Sequence, residues 1–260
     1  MLSFAFMAEL ILNPLQVSWS VWFITLACAF IIGFSKSGLK GIGMVTIPVL
    51  AIMYGGMISA GILLPFLVFG DLFAVRFYRK NMSWSHVKRL MPFALAGILL
   101  AVLVGKMISD DLFRNLMAIL VISCLALIIF FDFSGKKPDF SKSGFLSGFT
   151  GLSGGFATMI GNAAGPIFDL YLLSMRLPKN SFIGTGAIFF LTLNIIKVPF
   201  HFFIWESITL ASLQMNFVMV PAVFFGALAG RKVVSYIPEK GFRIFVIAII
   251  ALSSVLLLLR

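Results

Sequence analysis

Lys197 and Asp71 demand a chemical explanation first. Each stands inside a long apolar run, Phe182–Ile204 and Ile58–Phe77 respectively. An ionised side chain at membrane depth costs roughly 3 kcal/mol or more unless it finds a partner or a wet cavity, so such residues mark sites. Asn194 stands one turn before Lys197, and His201 one turn after it. An ammonium beside an amide suits an anion. Asp71 suits either an ion pair, with Arg76 or a lysine, or the carriage of a coupling proton, a role for which Asp169 and His201 are further candidates. Two structural readings stand beside these: Lys197 could snorkel to an interface, and His201 could be an interfacial side chain like Trp84 and Trp205.

Two glycine-rich stretches supply the other candidates. The first runs from Gly33 to Gly43 and is followed by Pro48; it contains Ser35, Lys36, Ser37, Lys40, Gly41 and Gly43. The second runs from Gly148 to Pro166 and contains Thr150, Ser153, Gly154, Gly155, Thr158, Gly161 and Asn162. Glycine lets a backbone approach a ligand closely, and a helix that restarts after a break presents unpaired N–H groups and a positive dipole end. With hydroxyls and lysines added, the combination suits an anion. The expected substrate contacts are Lys36, Lys40, Gly41, Gly43, Ser153, Gly154, Gly155, Thr158, Asn162, Asn194 and Lys197. The competing reading is that the glycines only let helices pack closely.

Nothing in the chain reads as catalytic. HExxH, GxSxG and Walker A patterns are missing from the sequence, so the reading is a non-enzyme without cofactor or metal. His86 and His201 stand far apart, and Cys28 and Cys124 sit singly in apolar runs as small buried hydrophobes.

These residues must be positioned by membrane helices. The chain is 61% hydrophobic and 11% charged, against about 25% charged in a soluble domain. Stretches long enough to span a bilayer are Ile58–Phe77, Leu90–Met107, Leu112–Phe131, Phe182–Ile204, Leu210–Gly230 and Phe242–Leu259. Continuous apolar runs argue against a β-barrel, whose strands alternate. Met1–Leu15 lacks the features of a cleaved signal peptide and reads as retained.

The net charge of +11 collects in connections, as the positive-inside rule expects of cytoplasmic loops, and not as a nucleic-acid surface. Such connections hold Arg76, Arg79, Lys80, Lys88 and Arg89; Lys136, Lys137 and Lys142; Arg176 and Lys179; and Arg231, Lys232, Lys240 and Arg243. The connections near Asp110–Asp111 and Glu206, and the tail holding Glu9, are poorer in Lys and Arg and are placed outside. Alternation of the spans then requires Ser18–Gly56 to start and end outside, and Ser143–Ser174 to start and end inside. Each becomes a helical hairpin broken at its glycines, and irregular backbone at that depth belongs against protein or a cavity.

The fold expected is all-α and polytopic, with two inverted-topology repeats, each a broken hairpin followed by three transmembrane helices. Residues 1–132 form the first repeat, 133–142 a cytoplasmic linker and 143–260 the second repeat. A pattern in the sequence supports the duplication: Pro92, Gly97, Asp110, Phe113 and Arg114 recur at one constant offset as Pro221, Gly226, Glu239, Phe242 and Arg243. Inverted repeats with discontinuous helices are a plan of secondary transporters, with the site near the midplane.

The Gly33–Pro48 stretch and its Gly148–Pro166 counterpart, in a chain of 260 residues, resemble the TauE/SafE family of membrane transporters. That resemblance implies export of small anions: sulfite, sulfonates and related organosulfur acids. The expected function is secondary export of such an anion, or of a carboxylate, by alternating access. A passive anion channel and a non-transporting scaffold stand as alternatives. The expected partners are the anion and the lipid bilayer of the cell (inner or plasma) membrane, with no nucleic acid; a homo-oligomer is left open. Both termini are expected outside.

Overall fold

The computed structural model describes residues 13–104, 107 and 144–258. The span read at Leu112–Phe131, the acidic pair Asp110 and Asp111, Cys124, Glu9 and the linker 133–142 lie outside the described residues. Every regular element among the described residues is helical. In chain order they are α1 (Trp19–Ser37), a 3₁₀ turn (Ile42–Val45), α2 (Thr46–Tyr54), α3 (Gly56–Tyr78), a 3₁₀ turn (Arg79–Asn81), α4 (Trp84–Val104), α5 (Gly144–Gly161), α6 (Gly165–Ser174), α7 (Lys179–Pro199), a π-helical turn (Phe200–Ile204), α8 (Leu210–Tyr236) and α9 (Glu239–Leu258).

Among the described residues, five helices are long and apolar enough to cross a membrane: α1, α3 with its extension to Asn81, α4, α7 with its π turn, and α8. Phe23, Ile52, Leu103, Phe217 and Phe225 face outward, which in water would be an aggregation-prone surface and in lipid is the required one. One difference from the sequence reading concerns α1, expected as half of a broken hairpin. It has the length of a span, because the helix persists through Gly33 and stops only after Ser37.

Both glycine-rich segments do fold back. Thr25, early in α1, bonds the Tyr54 hydroxyl at the end of α2 at 2.8 Å, so α2 returns toward the end where α1 began. Gly41 makes the turn possible: its φ of 94° lies in the left-handed region that glycine adopts without steric cost. In the second segment Asn162 takes that role with φ 54°, as asparagine tolerates better than most residues. α6 then returns along α5, with Ile167 opposite Gly154.

The packing is reciprocal. α1 lies along α8, and α5 lies along α4. A methyl at Gly33 would overlap the Val223 carbonyl, and one at Gly155 would overlap the Ala94 carbonyl. Gly226 and Gly97 complete the same contacts from the other side, against Phe30 and Leu152. Both pairs run parallel, since contacts advance in step along each helix. α3 and α7 cross at the centre in opposite directions: Tyr78 lies against Gly184, and Asp71 against Asn194. Close backbone approach at small residues is what lipid-embedded helices use in place of a hydrophobic drive.

Candidate functional site

The two breaks meet at one cavity. Its walls come from α1 and its turn (Ser35, Lys36, Lys40, Gly41, Gly43), from α5, α6 and the break between them (Thr158, Asn162, Gly165, Asp169), and from α7 (Phe190, Asn194), with Leu63 and Leu67 of α3. Its volume is about 80 Å³, room for several waters at about 10–15 Å³ each, or for one small polyatomic ion.

Charge in and behind these walls is paired unevenly. Lys36 binds the Asp71 carboxylate through both oxygens, at 2.8 and 2.9 Å, and Asn194 donates to the same carboxylate at 2.8 Å. Sequence alone offers Arg76 or a lysine as the partner of Asp71; the partner is Lys36. Lys40 approaches Asp169 more loosely, at 3.8 Å. Its ammonium lies where any side chain at Gly186 would stand. Both lysines face the ring of Phe190, at 4.8 Å for Lys36 and 5.8 Å for Lys40, an arrangement that favours cations.

Lys197 is different. It is fully buried and does not snorkel. Its ammonium donates to the Thr158 carbonyl at 2.8 Å, the Thr158 hydroxyl at 3.0 Å and Asn162 Oδ1 at 2.6 Å. Three acceptors match the three N–H donors of an ammonium, and all three are neutral. Thr158 lies in the last turn of α5, where unpaired carbonyls and the negative dipole end favour a cation. Lys36 stands in the last turn of α1. Each broken helix therefore ends on a lysine ammonium, one from its own chain segment and one supplied by α7. With all five groups ionised, Lys36, Lys40 and Lys197 against Asp71 and Asp169 leave one positive charge in excess.

The structure thus brings Lys36, Lys40, Gly41, Gly43, Thr158, Asn162, Asn194 and Asp169 to the cavity, with Asp71 and Lys197 bonded directly behind its walls. Ser153, Gly154 and Gly155 lie elsewhere along α5; Gly155 serves the contact with α4. His201 is buried in the π turn, bonded to Ser207 at 2.8 Å and edge-on to Trp205 at 5.0 Å. Trp205, read as an interface anchor, is itself buried; the π turn folds its ring inward. Trp84 is exposed, as an anchor would be. Phe190 is a site residue that the sequence reading misses. Its signal is present there: Phe190, Asn194 and Lys197 stand at i, i+4 and i+7, one stripe of α7.

Among the described residues no group of His, Cys, Asp and Glu could hold a metal ion. No curated protein and no solved structure matches the chain. One family model does, that of the sulfite exporter TauE/SafE, over residues 25–257, and the chain therefore belongs to this family of membrane transporters.

Proposed function

We propose that the protein is a secondary transporter that exports a small anion, such as sulfite, a sulfonate or organosulfur acid, or a carboxylate, by alternating access around the break cavity. One observation carries this reading: three lysines face two carboxylates there, and Lys197 is held by neutral acceptors alone. An anion entering the cavity completes the charge balance. Lys40 and Lys36 offer the first contacts, and Asn162, Asn194 and Thr158 orient the oxygens. Asp71 and Asp169 act as internal stand-ins for substrate, holding the lysines when the site is empty and taking the coupling proton when it fills.

The packing supports two inverted repeats, residues 1–132 and 143–260, joined by the linker 133–142. Val223 and Ala94 follow Pro221 and Pro92 by the same spacing, so the contacts of Gly33 and Gly155 are counterparts. The first helix of each repeat packs parallel to the fourth helix of the other, while α3 and α7 cross antiparallel. A two-fold axis in the membrane plane through that crossing produces this arrangement, and rocking one half against the other exposes the cavity to alternate sides. In the cell membrane the basic connections then lie inside and both termini outside.

The test is flux in proteoliposomes loaded with sulfite, a sulfonate and a carboxylate in turn. Saturable flux with accelerated exchange in the presence of substrate on the far side supports the carrier. Flux that neither saturates nor shows counterflow makes the protein a channel, and no anion flux at all removes the proposal.

A further inference from the structure

A second cavity, of about 460 Å³, lies between the α6–α7 turn and the start of α9, and shares no lining residue with the first. Arg176, Lys240 and Arg243 carry its charge, with a single acid, Glu239. Glu239 is already engaged, accepting the backbone N–H of Lys179 at 2.7 Å. Lys179 turns its own ammonium onto the carbonyls of Val234, at 3.0 Å, and Ile237, fastening the two connections together. Among the described residues, Arg176, Lys240 and Arg243 form no ion pair. Two basic connections far apart in sequence thus build one cationic bowl.

Its floor is aromatic. Phe182 and Phe242 both line the bowl and meet edge to face at 5.5 Å. Phe182 also touches the first site: the Lys40 ammonium stands 5.4 Å from its ring centroid. One buried ring therefore both lines the bowl and lies within reach of a break lysine.

We infer that this bowl is the loading vestibule for the same small anion, and that Phe182 is the gate between it and the break cavity; this rests on the transport reading above. Three cations around a low-dielectric wall focus the potential and raise the local concentration of an anion by ten-fold or more. The anion then passes to Lys40 when the Phe182 ring swings aside. Because the bowl is built from two of the four basic connections, it faces the cytoplasm, the side from which an exporter loads.

Sulfite uptake into inside-out and right-side-out membrane vesicles separates this inference from its foundation. With wild-type protein, initial rates at low sulfite fall as ionic strength rises, and only when sulfite is added on the vestibule face. Changing Arg176→Gly, Lys240→Gln and Arg243→Gln together raises the half-saturating sulfite concentration about ten-fold on that face, abolishes its salt dependence and leaves the opposite face unchanged. Arg176 occupies a left-handed position, φ 52°, at the end of α6, where glycine is the commonest residue. Arg176→Gly alone therefore keeps the fold while removing one cation, and gives the same effect in smaller degree. Phe182→Ala adds a non-saturating sulfite leak, and Phe182→Tyr restores saturation. Wild-type saturable flux with unchanged kinetics on the vestibule face in the Arg176→Gly and triple variants overturns the vestibule and leaves the transport reading standing. Equal effects on both faces also overturn it. Wild-type protein without flux removes the transport reading itself.

Discussion

Asp71→Asn tests the charge balance of the break cavity through a change of almost no volume. The carboxylate binds Lys36 at 2.8 and 2.9 Å and accepts from Asn194 at 2.8 Å. The amide keeps an oxygen for Lys36 but loses the charge, so the excess in the cavity rises from one positive charge to two. For an anion seated about 6 Å from the altered group, an effective dielectric of about 20 makes this worth about 3 kcal/mol, or roughly a hundred-fold in affinity. Binding tightens and release slows. The half-saturating sulfite concentration falls by up to that factor, and maximal flux falls with it, since a tighter site empties more slowly. Removing one partner of a buried ion pair also costs about 3–5 kcal/mol of stability, of which the retained oxygen recovers part, so the melting temperature drops. The assay is proteoliposome flux across a sulfite concentration series, with thermal unfolding in detergent on the same preparation. A half-saturation that is unchanged or raised in folded Asp71→Asn protein refutes the reasoning, because the carboxylate would then not compete with substrate for the lysines.

Other expectations follow from packing and orientation. Gly33→Ala and Gly155→Ala each drive a methyl into a backbone carbonyl across a helix contact; overpacking of this kind costs about 1–3 kcal/mol or more, and both variants lose yield and thermal stability. Gly154→Ala meets nothing closer than Ile167 at 4.0 Å and melts like the wild type, which separates a packing glycine from its sequence neighbour in one thermal-shift experiment. Met57 and Lys80, exposed at opposite ends of α3 and its extension, report topology: in a background without Cys28 and Cys124, an impermeant thiol reagent added outside cells labels Met57→Cys and spares Lys80→Cys.

Helical membrane architecture was legible because a bilayer accommodates a run of spanning length such as Ile58–Phe77, and a soluble core of this chain length could not absorb six of them. The fold-back of both glycine-rich segments was legible from alternation of charge between connections. What composition could not show was where each helix stops. α1 stays helical through Gly33 and past its last apolar residue, Phe34, to Ser37, and the break waits for Gly38 and for the left-handed turn at Gly41. The charged residues of the candidate site were legible by residue type, since lysine and aspartate at membrane depth are rare. Their partners were not. Lys36 and Asp71 are far apart in sequence, and the lysine that ends α5 comes from α7, so no local pattern connects them. Gly154 and Gly155 look alike as letters; only the neighbouring α4 distinguishes them. Phe190 was hidden among 30 phenylalanines and emerges only once its ring is seen to face both break lysines.

If an unneutralised lysine behind the break cavity supplies the positive charge that retains the transported anion, Lys197→Ala is the most direct test, measured as saturable sulfite flux in proteoliposomes beside wild-type protein of matched thermal stability. Saturable flux present in the wild type is predicted to be lost in the variant, since the excess positive charge disappears with the ammonium that bonds Thr158 and Asn162. Full flux with unchanged half-saturation in Lys197→Ala would contradict that role for the lysine.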